Sequence, residues 1–263
     1  TLYYTIINAY VKHYFNRESG GFMITADILR RLCPSSKQTI IDGVVLYFNK
    51  YADEYEISNE LRVCHFLAQA AHESAHFMTL EEYASGDAYE GRSDLGNTQP
   101  GDGRRYKGRG IFQLTGRANY VAYGHKLSVD LVNDPPLAAT PEISVRTAME
   151  YWRSKGLNAF ADANDIMSIT RRINGGTNGL DDRRSYLTKI QRLLKDPEAM
   201  YVGDKSAAVR EAQNLLIQHG YKIGSDGDFG PGTEQAVKQY QQSNNLVATG
   251  IIDQITLNKL RSS

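Results

Sequence analysis

Apolar side chains between residues 60 and 77 recur at the spacing of one helical face. Val63, Phe66, Leu67 and Ala70 occupy positions i, i+3, i+4 and i+7 of that pattern, which is the repeat an amphipathic helix presents to a core. We therefore predict a helix from about Glu60 to Phe77. It has the clearest helical pattern in the chain.

The same periodicity, with typical end signals, predicts further helices on both sides. Thr25 is a suitable N-cap for one of them, and Pro141 stands at the first position of another. The predicted ranges are 24–32, 39–51, 118 onward, 141–152, 166–172 and 180–194. A polar loop spans 85–109, and loops of that length are usually functional or disordered. We find no strand pattern up to residue 196, so this part is predicted to be mainly α.

The pattern changes between Asp196 and Asp204, and an internal repeat follows. Ala208–Gln213 resembles Ala236–Gln241, and the related turns 226–233 and 249–256 each lead into a helix that we expect Thr to cap. Two helix-turn repeats in about 60 residues predict a small three-helix domain. The predicted organisation is therefore 1–21 without an assigned role, a helical domain over 22–196, and a module over 204–263.

Composition narrows the classes of function. Thirty basic and thirty acidic side chains cancel, so no net charge favours nucleic acid or an anionic membrane. No apolar run is long enough to cross a membrane, and the first eleven residues lack a basic leader and a cleavage site. Cys33 and Cys64 do not form a disulfide framework in a chain this long, and we expect two buried thiols.

Glu73 is the first candidate for chemistry. It lies three residues beyond Ala70 and seven beyond Phe66, so it falls on the apolar face of the predicted helix. A carboxylate there is partly desolvated, which favours its protonated form, as general-acid catalysis near neutral pH requires. The alternative is a glutamate at the edge of the core, paired with an arginine. The helical pattern alone does not separate the two.

A zinc site is the rival interpretation of the same helix. His72-Glu-Ser-Ala-His76 matches the His-Glu-x-x-His pattern, which places two imidazoles on one helical face. His65 would lie roughly 10 Å along the axis from His72, too far to share one zinc. Thr79 and Glu82 replace the glycine and third histidine of the extended pattern. We therefore expect no metal and no cofactor, and assign the histidines to the surroundings of Glu73.

A second carboxylate makes glycoside hydrolysis possible. Inversion needs an acid and a base roughly 6.5–9.5 Å apart. On one continuous helix Glu73 and Glu82 would lie on opposite faces, roughly 13.5 Å apart along the axis. The helix must therefore end near Phe77, and the chain must fold back. Glu81 or Glu90 could serve in place of Glu82.

Five motifs stand in order along the chain: His72-Glu73, Gly108–Tyr120, Tyr151-Trp152, Ile173–Gly179 and Asp182-Arg183. Together they resemble glycoside hydrolase family 19, the mostly helical, lysozyme-like chitinases and phage endolysins. The resemblance covers about 24–194 and implies a lysozyme-like helical catalytic domain. The repeat resembles the peptidoglycan-binding module of many cell-wall hydrolases, and the short spacing from Glu73 to Glu82 is similar to that of endolysins.

The resemblance also implies roles for the catalytic residues. Glu73 would be the general acid, Glu82 the base that activates water, and the Thr115 hydroxyl would hold that water. The sequence departs from the family where Ala75 and His76 follow the His-Glu-Ser stretch, because the family usually has glycine there.

Four further residues would bind or support the substrate site by the same resemblance. Gln113, Tyr120 and Asn174 match positions that line the sugar cleft, and Arg183 matches an arginine that supports the catalytic carboxylates. Each has a structural alternative: Asn174 could only cap a helix, and Gln113 could only satisfy loop backbone. Trp152 is expected in the core.

These observations favour an inverting muramidase that cleaves β-1,4 bonds of peptidoglycan glycan strands. A chitinase on the same fold, a zinc-dependent hydrolase and a non-catalytic wall-binding protein are the alternatives. The expected partner is bacterial peptidoglycan, without nucleic acid or stable membrane insertion, and the chain is expected to act as a monomer. The endolysin resemblance implies a stay in the host bacterial cytoplasm until release to the cell wall.

Overall fold

A computed structural model describes residues 23–262, which form a mainly α-helical protein. The predicted segment 1–21 lies outside the described residues. Within them there are twelve α-helices and no strand. In chain order they are α1 (Ala26–Leu32), α2 (Gln38–Tyr51), α3 (Glu60–Glu73), α4 (Asp102–Arg105), α5 (Arg117–Leu127), α6 (Pro141–Ser154), α7 (Leu157–Asp162), α8 (Ile166–Asn174), α9 (Leu180–Lys195), α10 (Ala207–Gln218), α11 (Pro231–Ser243) and α12 (Gln254–Arg261). Single 3₁₀ turns occupy Asp87–Tyr89, Ser93–Leu95 and Pro135–Ala139.

The predicted helices are confirmed to within a few residues, whereas α4, α7 and the 3₁₀ turns were not predicted. Thr25 caps α1 by accepting a hydrogen bond from the Ile28 N–H, as expected. None of the helices in the described part is both long and apolar enough to span a membrane.

Helix α3 is the centre of the first hydrophobic cluster. Its residues from Val63 to Ala71 are all buried, and α9 packs along it. The Phe66 ring lies 5.5 Å from the rings of Phe48 and Trp152. Trp152 is completely buried, so its predicted place in the core is confirmed.

Helix α3 ends at Glu73, so the predicted end near Phe77 is wrong. The Ser74 hydroxyl donates to the Ala70 carbonyl and accepts from the Phe77 N–H, which closes the last turn. Ala75, His76 and Phe77 then adopt left-handed backbone angles. Phe77 is nevertheless buried, which explains why the apolar pattern continued past the helix. The requirement that the helix end before Glu82 is confirmed.

The loop 85–109 is ordered by its own polar side chains. Both carboxylate oxygens of Glu90 accept backbone hydrogen bonds, from the N–H groups of Gly101 and Gly103. Asn97 is buried, donates to the Tyr89 carbonyl and accepts from the Arg117 N–H. Buried amides with satisfied partners fix loop backbone, so this loop is a defined wall beside α5.

The C-terminal repeat is built around two equivalent glutamines. Gln213 accepts from the Gly227 N–H and donates to Thr233, while Gln241 accepts from the Gly250 N–H and donates to Thr256. Their helices surround a second hydrophobic cluster, and the predicted three-helix module is present.

The predicted threonine caps in this module are wrong. Gly230 and Asp253 are the N-caps of α11 and α12, and Asp253 accepts from the Thr256 N–H. Each threonine is the third residue of its helix and uses its hydroxyl to bind a glutamine instead.

The segment between the two clusters contacts both. Arg31 in α1 donates to the carbonyls of Pro197 and Ala199 and pairs with Asp204 at 2.9 Å. Met200 and Ile252 exchange two backbone hydrogen bonds of 2.9 Å. The boundaries at 196 and 204 stay a prediction.

Candidate active site

A cavity of about 210 Å³ opens beside the end of α3 and mixes aromatic walls with polar groups, as ligand sites do. Three of the predicted site residues line it: Glu73, Gln113 and Thr115. The other lining residues are Leu95, Phe112, Leu114, Asn119, Tyr123, Thr147, Tyr151 and Ile173.

Glu73 is the last residue of α3 and is held by an arginine from α9. Its Oε1 lies 2.5 Å from Nη2 of Arg183, and the exposed fractions are 20% for the glutamate side chain and 1% for the arginine. The other terminal nitrogen of Arg183 donates to Oε1 of Gln69, one turn before Glu73. The arginine pair that the structural alternative for Glu73 predicted is therefore present, and the carboxylate lines the cavity as well.

Two of the three candidates for the second carboxylate are already engaged. Glu81 Oε1 is 3.1 Å from both Lys107 Nζ and Arg109 Nη2. Glu90 uses both oxygens to bind backbone N–H groups. Glu90 therefore has both oxygens bound to loop backbone, and the charge of Glu81 is paired with two cations.

Glu82 is arranged differently. Its N–H donates to the Gly108 carbonyl at 3.0 Å, and its Oε2 accepts from the Tyr89 hydroxyl at 2.9 Å. Its Oε1 is buried and has no hydrogen-bond partner within residues 23–262. Buried polar atoms almost always have a partner, and water is the usual one where protein supplies none.

Gly108 is where Glu82 meets the motif that lines the cavity. A Cβ at this position would lie 2.7 Å from Gln113 Oε1, 3.2 Å from Glu82 Oε2 and 3.3 Å from Thr115 Oγ1. Only glycine leaves room for these three groups. Since Gln113 and Thr115 also line the cavity with Glu73, they connect the surroundings of the two carboxylates.

The backbone around these two residues is fixed locally. Gln113 has a left-handed φ of 49° and donates from Nε2 to the Gly110 carbonyl. The Thr115 hydroxyl donates to the Gln113 carbonyl at 2.8 Å. Gln113 therefore satisfies loop backbone, as its structural alternative proposed, and faces the cavity as well.

Tyr120 does not line the cavity, contrary to its predicted place. Its side chain is completely buried, and its hydroxyl donates to the Lys107 carbonyl and accepts from Arg109. Burial raises the pKa of Tyr120 to about 12. Its packing against Tyr106 explains the burial, so it supports the 107–109 segment from behind.

Asn174 also makes internal contacts. It is the last residue of α8, donates to the Asn178 carbonyl and accepts from the Gly176 N–H. The residue before it, Ile173, lines the cavity. Asn174 therefore shapes the loop beside the cavity. It does not line the cavity itself, as its predicted sugar contact would require.

The premise of the zinc alternative is wrong, because α3 ends between its two histidines. His72 Nδ1 lies 2.6 Å from Asp182 Oδ2. His76 has a left-handed φ of 66°, and its ring faces Tyr186. In the described part of the chain no group of three or more His, Cys, Asp or Glu side chains is arranged to hold a metal.

Sequence reasoning missed the aromatic wall and the partner of Glu82. Phe112, Tyr123 and Tyr151 line the cavity, and the Tyr151 hydroxyl donates to the Arg172 carbonyl at 3.0 Å. Burial, with Tyr123 and Glu73 nearby, raises the pKa of Tyr151 to about 12. Phe112 and Tyr151 stand in the quoted motifs, which could have identified them. Tyr89 stands in an aperiodic loop that gave no such signal.

Glu73 lines the aromatic cavity and Glu82 lies behind the Gln113–Thr115 segment; a pair of carboxylates is what glycoside hydrolases use. The glycoside hydrolase family 19 model, described as Chitinase class I, matches residues 46–169, and a peptidoglycan binding domain model matches 205–260. A family 19 domain-containing protein of Haemophilus influenzae is 30% identical over 174 residues, covering 54% of this chain and 85% of the relative. The chain belongs to glycoside hydrolase family 19.

More distant relatives agree with the fold. An Arabidopsis thaliana endochitinase is 38% identical over 111 residues, covering 42% of this chain and 38% of the relative. The crystal structure of chitinase C from Streptomyces griseus matches with a TM-score of 0.57 at 21% identity, covering 68% of this chain and 96% of that one. That likeness shows the fold, and the predicted lysozyme-like helical architecture is confirmed.

Proposed function

We propose that this glycoside hydrolase is an endolysin-type enzyme that cleaves the β-1,4 bonds of peptidoglycan glycan strands with inversion. The observation that carries the proposal is the pair formed by Glu73 and Glu82, which border the same Gln113–Thr115 segment. One carboxylate reaches the cavity while held by an arginine, and the other has a buried oxygen without a partner.

The roles of the two glutamates in this proposal are those that the family resemblance implies. Glu73 gives its proton to the glycosidic oxygen as the bond from that oxygen to the anomeric carbon breaks. Water attacks the anomeric carbon from the opposite face and loses a proton to Glu82. Thr115, whose hydroxyl lies beside the same glycine as Glu82, holds the water. Each glutamate changes protonation once, and solvent restores both.

The module favours peptidoglycan as the substrate. Residues 205–260 match a peptidoglycan binding domain, and a tethered binding domain raises the effective concentration of substrate at the catalytic site. We therefore propose that the C-terminal module binds peptidoglycan and holds the catalytic domain at the cell wall.

A chitinase is the second candidate, and the names of the relatives support it. The Arabidopsis relative is called an endochitinase, and the similar solved structure is chitinase C. Both polymers offer β-1,4-linked N-acetyl sugars, so the two candidates use one mechanism and differ in substrate.

Digestion of purified peptidoglycan and of chitin oligosaccharides, with analysis of the new reducing ends, tests the proposal. Muramic acid ends from peptidoglycan and slow cleavage of chitin support the muramidase. N-acetylglucosamine ends, or faster cleavage of chitin, contradict it. Proton NMR of the first products adds the stereochemistry: inversion gives the α-anomer, and an initial β-anomer contradicts the two-glutamate inverting mechanism.

A further inference from the structure

The two oxygens of the Glu82 carboxylate are in unequal surroundings. Oε2 accepts from the Tyr89 hydroxyl at 2.9 Å, whereas Oε1 is buried without a partner in the described part of the chain. The two oxygens of this carboxylate therefore differ, because Oε2 is hydrogen-bonded and Oε1 is free to bind water. We propose that Tyr89 is a positioning residue that fixes Glu82 by Oε2 and leaves Oε1 as the atom that removes the proton from water.

This inference rests on the proposed function and adds a residue to it. In the step, the water oxygen bonds to the anomeric carbon, one water proton passes to Glu82 Oε1, and the leaving oxygen takes the proton of Glu73. The Tyr89 hydroxyl keeps its own proton throughout, because it acts as a donor to Oε2 and exchanges nothing with substrate.

The backbone on which Tyr89 stands is fixed over several contacts. Its N–H donates to the Gly86 carbonyl at 2.9 Å, and its carbonyl accepts from Asn97 Nδ2 at 2.8 Å. Asn97 is fully buried and also accepts from the N–H of Arg117, the first residue of α5. The position of the Tyr89 hydroxyl is therefore tied to the helix that follows the cavity-lining motif.

The backbone of Glu82 is fixed as well, but its carboxylate has few other restraints. The Glu82 N–H binds the Gly108 carbonyl, and Lys107 Nζ donates to the Glu82 carbonyl at 3.1 Å. The charge of Lys107 is paired with Glu81. Within residues 23–262 Tyr89 is the one residue that donates a hydrogen bond to the Glu82 carboxylate, so its hydroxyl decides the orientation of that group.

The Tyr89 hydroxyl therefore acts on catalysis through geometry, because its hydrogen bond to Oε2 leaves Oε1 directed at the water. Burial, followed by the bond to Glu82, raises the pKa of Tyr89, so the hydroxyl remains a donor across the working range.

Tyr89→Phe removes the donor and keeps the ring. We expect kcat to fall about tenfold, the size of one hydrogen bond to a charged group, with KM unchanged. Tyr83→Phe is the matched control, because Tyr83 lies beside Glu82 in sequence, is 79% exposed and should behave as the wild type.

The Glu82→Gln variant tests the proposed base separately from the proposed role of Tyr89. If it keeps full activity, the proposed base is wrong. If it is inactive while Tyr89→Phe keeps the wild-type kcat, the base stands and the role of Tyr89 is overturned. A Tyr89→Phe variant that changes only the melting temperature also overturns it, because that is the mark of a structural role.

Replacement of Tyr89 by 3-fluorotyrosine tests the same bond without deleting it, should the phenylalanine variant fold poorly. The fluorinated phenol keeps a donor to Oε2, so kcat is expected to be retained. A folded fluorinated enzyme with the tenfold loss expected of Tyr89→Phe contradicts the proposal.

Discussion

Arg183 Nη2 lies 2.5 Å from Glu73 Oε1, and the same guanidinium donates to Gln69 one turn earlier on α3. The arginine is almost completely buried and comes from α9, more than one hundred residues further along the chain. One buried cation therefore joins the two helices that pack along each other and holds the proposed acid at the cavity.

Removing that cation is expected to reduce both stability and activity. Arg183→Met leaves Glu73 and Gln69 without their shared donor, which in buried pairs costs about 3–5 kcal/mol, and less here because Glu73 is 20% exposed. Arg183→Lys keeps the charge but lacks the fork that reaches both partners, so it should fall in between. Urea unfolding measures the order, and a methionine variant as stable and active as the wild type contradicts it.

Gly108→Ala is expected to reduce activity more than stability. The added methyl would lie 2.7 Å from Gln113 Oε1 and close to Glu82 and Thr115, so these side chains must move. Positioning errors of this kind cost up to about 100-fold in rate. The control is Gly224→Ala, because a Cβ at Gly224 meets nothing within 4 Å. Equal kcat/KM values for the two variants would contradict the proposal that Gly108 leaves room for the side chains of Glu82, Gln113 and Thr115.

Gly179→Ala is expected to be destabilising for two separate reasons. Gly179 has a left-handed φ of 71°, and a Cβ there would lie 2.5 Å from His72 Nε2. Strained backbone of this kind costs about 1–3 kcal/mol, and the contact with the imidazole adds to it. In a double-mutant cycle, His72→Ala should remove the part of the destabilisation that comes from the imidazole contact. The part that comes from the strained backbone should remain. Strict additivity of the two changes would contradict the contact.

The two thiols are expected to be unreactive in the folded protein. Burial raises the pKa of Cys33 and of Cys64 to about 12, and the thiolate is the reactive form. A thiol reagent at pH 8 should react with neither thiol in the native state and with both after unfolding. One fast-reacting thiol in the native protein would contradict the burial of that residue.

The same shifts give a pH dependence of stability. The folded-state pKa values lie above the ordinary value of 9.0, so the neutral thiols stabilise the folded state fully below that value. As pH rises past about 9 the unfolded chain ionises first and stability falls. Replacing Cys33 and Cys64 by alanine should flatten the alkaline slope of the unfolding free energy.

Periodicity predicted the helices because core-facing side chains repeat with the helix. It placed Glu73 on the inner face of α3, and the repeat of Gln213 and Gln241 predicted a small helical module. Both features depend on short stretches of chain, where spacing in sequence fixes the neighbours in space.

Periodicity could not predict where α3 ends or which oxygen of Glu82 is free. The apolar pattern continues to Phe77 although three left-handed residues have already ended the helix. The partner of Glu82 comes from an aperiodic loop, and the burial of Tyr120 depends on packing against Tyr106. Such contacts arise from tertiary structure and cannot be predicted from the spacing of residues along the chain.

Turnover of peptidoglycan by Glu73→Gln tests the central claim most directly. Glutamine keeps the shape and can still bind Arg183, but it has no proton to give to the leaving oxygen. The account predicts that kcat falls by about 10²–10⁴, the contribution of general-acid catalysis. The variant is expected to remain folded but to melt at a lower temperature, because the buried Arg183 loses its counter-charge. A folded Glu73→Gln enzyme with wild-type turnover would contradict the two-glutamate mechanism.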